Sequence, residues 1–146
     1  GTAGQVLQMN SGATAPEYAN ASGGVSEGFS AYDNSSGNQS GSLTLTSTLV
    51  NTNGNFNTAN GRYTAPSAGT YYFYAFALSS GSTTDLYFKV NGSNTATGTD
   101  YSYSGGAGDL GHTSMIYPLS QGDYVQWVSV QSVYGNYLGF GGFKLY

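Results

Sequence analysis

The longest apolar pattern in the chain covers residues 71–78 and alternates between two sets of side chains. Alternate positions face opposite sides of a strand, and a strand in a solvated sheet carries polar residues on one side. Both sides are apolar here, so we predict a strand that is covered on both faces. One face enters the core of the domain, and a neighbouring subunit is the simplest cover for the other. The two sets are Tyr71, Phe73, Ala75 and Ala77, and Tyr72, Tyr74, Phe76 and Leu78.

Short extended segments recur along the rest of the chain, and no segment shows a sustained helical period. Asn60 and Gly61 lie between two of them and indicate a hairpin, because both residue types tolerate positive φ. The predicted strands are 28–32, 42–49, 54–56, 62–64, 70–79, 85–90, 112–118, 123–132 and 137–146, with shorter candidates at 5–7 and 16–18. Residues 33–41, 91–111 and 133–137 are predicted to be loops.

Composition narrows the class of partner. The chain has 146 residues, which suits one domain, and no cysteine. Aromatic residues make up 15% of it, too many for a disordered chain despite 23 glycines. Only Arg62, Lys89 and Lys144 are basic. Binding to nucleic acid or to an anionic membrane needs several basic side chains, so we expect neither, and no apolar run is long enough to span a membrane.

Five pieces of the sequence follow one another in a recognisable order: Phe29-Ser-Ala-Tyr32, Gly61-Arg-Tyr-Thr-Ala-Pro-Ser-Ala-Gly-Thr-Tyr-Tyr-Phe73, Lys89-Val-Asn-Gly92, Leu119-Ser-Gln-Gly-Asp-Tyr-Val125 and Phe140-Gly-Gly-Phe-Lys-Leu145. Together they resemble the C1q globular domain of the C1q/tumour-necrosis-factor superfamily. The resemblance covers residues 29–146 and implies an all-β, ten-strand jelly-roll sandwich that assembles as a homotrimer. We expect Tyr72, Tyr74 and Phe76 to line the threefold interface.

Residues 1–28 form a separate N-terminal segment with few strong strand formers. Its Gly-x-x-Gly-Gln-Val-Leu start and Ala15-Pro-Glu-Tyr18 piece resemble a module of bacteriophage tail fibres, where a C-terminal binding head usually follows. The alternative is a disordered linker. The chain opens at Gly1 rather than Met, so we expect a fragment or a processed product.

The sequence offers little for catalysis. His112 is the only histidine, and we interpret it as a partly exposed, hydrogen-bonded side chain on a strand. No two of the seven carboxylates form a recognisable catalytic pair, so we expect no enzyme and no cofactor. Calcium is the open case: Asp33, Asp85, Asp100 and Asp109 lie in or beside loops, where solvated aspartates are the alternative. Asp123 follows Gly122 and is predicted to stabilise a turn.

Tyrosines in the predicted loops are the candidate ligand site. Sugars present apolar C–H faces and hydroxyls, so their sites combine an aromatic surface with a few polar groups. The alternative for each tyrosine is packing at an interface or at the end of the fold, and we expect Trp127 to lie in the core or an interface. The predicted ligand-binding residues are Tyr101, Tyr103, Tyr134, Tyr137, Asp100 and Asn136.

The function we predict is the receptor-binding tip of a phage tail fibre or similar virion appendage, which would attach to a cell-surface glycan or protein. One alternative is a secreted C1q-like lectin or recognition protein of a cellular organism. Another is a structural head that trimerises a fibre and binds nothing. The protein would accordingly be located in the virion or outside the cell, and the sequence identifies neither the ligand nor any metal.

Overall fold

The computed structural model describes residues 5–10, 12–20, 27–81, 84–95, 100–102 and 107–146, and of these the only helical piece is a 3-10 turn at Thr52–Gly54. The strands are β1 (Gln5–Met9), β2 (Pro16–Asn20), β3 (Gly28–Tyr32), β4 (Asn38–Ser42), β5 (Ser47–Asn51), β6 (Phe56–Asn57), β7 (Arg62–Thr64), β8 (Gly69–Ser79), β9 (Thr84–Val90), β10 (Ser93–Asn94), β11 (Asp100–Ser102), β12 (Leu110–Leu119) and β13 (Tyr124–Lys144). The predicted all-β class is confirmed.

Two antiparallel layers are built around the long strand β13. The C-terminal part of β13 lies between β3 and β8, and the inner layer has the order β5–β3–β13–β8–β12. The N-terminal part of β13 pairs with β7 and β4 on one edge and β9 on the other, forming the outer layer. Strands β10 and β11 extend this layer from β9. Because β13 belongs to both layers, hydrogen bonding runs continuously through the jelly-roll sandwich.

Aromatic side chains fill the space between the layers. Phe29 stacks on Phe56 and Tyr63, with ring centroids 4.8 and 4.7 Å apart, and meets Phe140 edge to face. Trp127 is fully buried, which confirms the core alternative predicted for it. Burial raises the pKa of Tyr63, so its hydroxyl stays neutral inside this core.

The predicted strand 42–49 is wrong in its middle. β4 pairs with β13 in the outer layer and β5 pairs with β3 in the inner layer, so residues 43–46 cross between the layers. Leu43 and Leu45 are buried where the chain crosses, whereas Leu49 is 76% exposed on β5. The Gln39 side chain bonds both the N–H and the carbonyl of Thr44, replacing the ladder that a continuous strand would supply. The alternation read from the sequence therefore joined two different strands.

Three predicted loops contain strands. Residues 133–137 belong to β13, so the two strands predicted on either side of them form one strand. Glycine and asparagine favoured a turn there, but the backbone only shifts register between Val133 and Leu138. Residues 33–41 contain the start of β4, and the described part of 91–111 contains β10, β11 and the start of β12. The predicted strand 54–56 is also wrong, because its first residue ends the 3-10 turn and pairing starts at Phe56.

The predicted turns agree with the structure better than the predicted loops do. β6 and β7 form the hairpin expected around Asn60 and Gly61, although of those two only Gly61 has positive φ. The Asp123 carboxylate accepts hydrogen bonds from the Ser120 N–H at 2.7 Å and from the Asn91 amide at 2.8 Å. These bonds lower the pKa of Asp123. The predicted turn role of Asp123 is confirmed, and the carboxylate also ties the β9–β10 turn to the β12–β13 turn.

Candidate functional site

A row of aromatic side chains covers the side of the inner layer that faces away from the core between the two layers. This aromatic face consists of Tyr72, Tyr74 and Phe76 on β8 and Phe143 on β13. The ring of Tyr72 lies 6.3 Å from that of Tyr74 and 5.5 Å from that of Phe143, between centroids. Rings at such distances attract one another, so the row is preformed in the single chain.

Two glycines of β13 allow these rings to lie against the sheet. Gly141 is opposite Tyr74 in the strand register, and Gly139 is opposite Phe76. A Cβ atom on Gly141 would lie 2.5 Å from the Tyr74 ring, and one on Gly139 would overlap the ring of Phe76. Glycine is required here by the close approach of another residue. Sequence analysis missed these positions, although glycine at alternate positions of a strand was the available signal.

The aromatic face continues onto the edge strand β12. Ile116 lies opposite Tyr72 and is 61% exposed, and Phe76 is 41% exposed. Leu110, near the other end of β12, is also exposed. The aromatic face and Ile116 thus form one exposed apolar surface, and a surface of this kind is typical of an interaction site. The three residues predicted for the trimer interface therefore share one preformed surface.

The second candidate region is the tyrosine pair, Tyr134 and Tyr137 on β13. The pairing of β13 with β8 shifts register between Val133 and Leu138, which are both buried, so residues 134–137 are not paired with β8. On the other edge of β13, Tyr134 still pairs with Asn38 of β4. The two tyrosine rings meet edge to face with centroids 6.4 Å apart. Tyr137 is 53% exposed and Asn136 is exposed beside it. These three predicted ligand residues are adjacent, but they lie on a strand and not in the predicted loop.

A buried carboxylate, Asp33, lies beside the backbone of Gly135, between the two tyrosines of the pair. Asp33 accepts hydrogen bonds from Ser35, Thr46 and Gln39, with Thr46 Oγ1 at 2.8 Å and Ser35 Oγ at 2.6 Å. The loop that it holds reaches Gly37, whose carbonyl accepts the Gly135 N–H at 2.9 Å. Gly135 directly follows Tyr134 in the chain and lies between the two paired tyrosines. The polar loop 33–37 is thus a fixed base for the pair.

Asp33 is not the solvated loop aspartate that the sequence suggested. Burial alone would raise the pKa of Asp33, but the hydrogen bonds from Ser35, Thr46 and Gln39 outweigh burial and lower that pKa. Asp85 is tied to Gln131, whose amide donates to the Asp85 carboxylate at 3.2 Å, whereas Asp109 is exposed. Within the described residues, no three histidine, cysteine or acidic side chains cluster as a metal site would require. Calcium binding stays a prediction.

The remaining predicted ligand residues belong to segment 100–103. Tyr103 lies outside the described residues, and for Asp100 and Tyr101 the structure describes the backbone of β11. Tyr101 is opposite Asp85 in the register of β9. Gln131, which contacts Asp85, comes three residues before Tyr134 on β13. The fold therefore brings segment 100–102 to the same end of the outer layer as the tyrosine pair. His112, in contrast, is exposed on β12 opposite Phe76.

Comparison with known proteins agrees with this architecture. The family model described as the C1q domain matches residues 28–145. The fold is similar to the globular domain of zebrafish complement 1qA protein, with a TM-score of 0.65 and 23% identity over 83% of this chain and 98% of that one. It is also similar to Eiger TNF from S. frugiperda, with a TM-score of 0.59 and 14% identity over 82% and 92% of the two chains. Murine APRIL gives a TM-score of 0.59 and 12% identity over 81% and 98%.

No curated protein matches the chain. Among the described residues, no helix has the length and apolar character needed to cross a membrane.

Proposed function

The chain belongs to the C1q domain family, and on that premise we propose that it is a trimeric binding head that forms the receptor-binding tip of a phage tail fibre or similar virion appendage. C1q domains in general mediate trimerisation and ligand recognition, and they are typically not enzymes. The observation that carries the proposal is the aromatic face, a preformed apolar surface that a single chain leaves open. Two further copies of the chain are its proposed cover.

Binding at the head would then come from several weak sites on one rigid assembly. Each copy presents the tyrosine pair beside Asn136, with segment 100–102 at the same end of the outer layer. Aromatic surfaces with adjacent polar groups suit a glycan or a polar protein surface. Three linked sites gain avidity through effective concentration, without a strong single contact. The proposed setting is the virion surface or the extracellular space, and the proposed target is a glycan or protein on a host cell.

Trimerisation is tested by placing a charge in the aromatic face. The Tyr74→Asp variant should be monomeric or aggregated, because a carboxylate would be buried without a partner. Val130→Asp is the matched control, since Val130 is an exposed apolar residue on β13 outside the aromatic face. Molar mass from light scattering after size-exclusion chromatography should give a trimer for the parent chain and for Val130→Asp. A soluble Tyr74→Asp trimer would contradict the proposed interface.

Ligand binding is tested with a glycan array, probed with and without calcium, and with host-cell binding of tyrosine variants. We expect selective binding that weakens in Tyr101→Ala, Tyr103→Ala, Tyr134→Ala and Tyr137→Ala. Tyr146→Ala is the control, because Tyr146 is 81% exposed near the chain end and outside the proposed site. Undiminished cell binding in all four variants would reject the site. A blank array with no cell binding by the trimer would instead favour a head that only trimerises a fibre.

A further inference from the structure

The N-terminal hairpin has one apolar side that the described chain leaves uncovered. β1 and β2 pair with Leu7 opposite Tyr18 and Met9 opposite Pro16, so these four residues share a side. Leu7 is 62% exposed, Tyr18 59% and Met9 53%. We call this side the hairpin face. The other side carries the polar pair Gln8 and Glu17 and also the apolar residue Val6, which is 44% exposed.

The turn of the hairpin is specified by polar contacts, but its stability is not explained by them. The Asn10 side chain accepts the Thr14 N–H at 2.9 Å, and the Asn10 N–H bonds the Ala15 carbonyl at 2.9 Å. An isolated two-stranded hairpin is marginally stable in water and needs a further surface against its apolar side. The hairpin face therefore needs a partner that removes Leu7, Met9 and Tyr18 from water.

The chain path limits which surfaces the hairpin face can reach. Seven residue steps separate Asn20 from Glu27, which limits the connection to about 25 Å. Glu27 is fixed to the head because its carbonyl accepts the Lys144 N–H at 3.0 Å, and the next residue, Gly28, pairs with Phe143. Phe143 belongs to the aromatic face. The chain thus enters the head at the end of the surface that is proposed to bring three copies together.

We propose that the hairpin face packs against the same face of two other copies, so that three hairpins form an apolar cluster continuous with the interface of the heads. The inference rests on the proposed homotrimer. Short connections give each hairpin an effective concentration of its neighbours on the order of millimolar. The four side chains of the hairpin face carry no charge, and Glu17 lies on the opposite side, so three copies can meet without placing carboxylates together.

Cysteine cross-linking tests this arrangement, because the chain has no cysteine of its own. In the full chain, Leu7→Cys and Met9→Cys should form disulfides between chains under mild oxidation, which requires Cα atoms within about 7 Å. Non-reducing electrophoresis should show cross-linked dimers, with at most two chains of each trimer linked. Glu17→Cys is the control, as its thiol would point away from the cluster and should remain largely unlinked.

The size of each variant in solution separates this inference from the proposed function. Trimers in which neither Leu7→Cys nor Met9→Cys cross-links above Glu17→Cys would overturn the hairpin cluster and leave the trimeric head intact. Variants and parent chain that are all monomeric would overturn both. Trimers with dimer bands confined to Leu7→Cys or Met9→Cys would support the cluster.

Discussion

The two faces of β8 carry similar residues in sequence but lie in different surroundings. Phe73 on the inward face is fully buried and is ringed by other aromatic side chains. Phe76 on the outward face is 41% exposed, and its ring rests on the backbone of Gly139. Hydrophobic character alone therefore does not separate a core from an interaction surface. The difference lies in what the opposite strand and layer supply.

Truncation of one phenylalanine on each face should separate the two environments most strongly. Phe73→Ala would leave a cavity between the layers and should lower the free energy of unfolding by about 3–5 kcal/mol. Phe76→Ala should cost clearly less in chain stability and should instead raise the concentration at which trimers dissociate. Chemical denaturation and concentration-dependent light scattering measure the two effects. Equal losses of stability with unchanged association would break the comparison.

Adjacent glycines of β13 give a finer version of the same test. A Cβ on Gly142 would lie 2.5 Å from the Phe73 ring and 2.8 Å from the Tyr72 carbonyl oxygen, in a packed interior. Gly142→Ala should therefore destabilise the protein by about 1–3 kcal/mol. In Gly141→Ala the Tyr74 ring can swing outward, so we expect a stability loss below about 1 kcal/mol and weakened association.

Thermal and chemical unfolding of both glycine variants provide the measurement. Gly81→Ala serves as the control, because no atom of the described residues lies within 4 Å of a Cβ at that exposed position. If Gly141→Ala proves as destabilising as Gly142→Ala, the outward rings are held as rigidly as the core.

Acid should destabilise the protein through groups outside the two faces of β8, because β8 contains no carboxylate. The folded state lowers the pKa of Asp33 below its ordinary value of 3.8. The stability from this group is therefore present above that value and lost as pH falls through the lower folded-state pKa. Asp33→Asn should lower the free energy of unfolding by about 1–2 kcal/mol at neutral pH. The reason is that some of the donors on Ser35, Gln39 and Thr46 would then face an amide N–H₂ group.

The free energy of unfolding, measured from pH 6 to pH 2, checks this contribution. Its size should correspond to the protonation of one carboxylate. The parent chain should lose stability below the ordinary aspartate pKa, and Asp33→Asn should lose less. Asp109→Asn, at an exposed position, should follow the parent chain. A parent-like acid profile in Asp33→Asn would show that Asp33 does not couple to folding.

Sequence patterns predicted the elements in which one physical rule dominates. β3 and β7 have the predicted bounds, and β8 differs by one residue, because strict alternation and flanking turn residues define them. The inward set of β8 residues was also predicted correctly. Predictions failed at 42–49 and 133–137, where one local pattern spans two layers or a register shift. Neither change leaves a signal in neighbouring residues.

Some residues of the candidate sites could be grouped from the sequence, and others could not. Tyr72, Tyr74 and Phe76 could be grouped from sequence because they share one side of a single strand. Asp33 could not be recognised as the base of the tyrosine pair, because its donors and Gly135 come together only when β4 pairs with β13.

The sequence by itself determined that the chain is all-β, that β8 is apolar on both sides and that the C1q motifs occur in order. These properties follow from alternation and turn chemistry, which act over a few residues. Only the tertiary structure decided that β13 serves both layers and that a buried carboxylate lies beside Gly135, between Tyr134 and Tyr137 in the chain. Those outcomes depend on hydrogen-bond register and on contacts between residues distant in the chain.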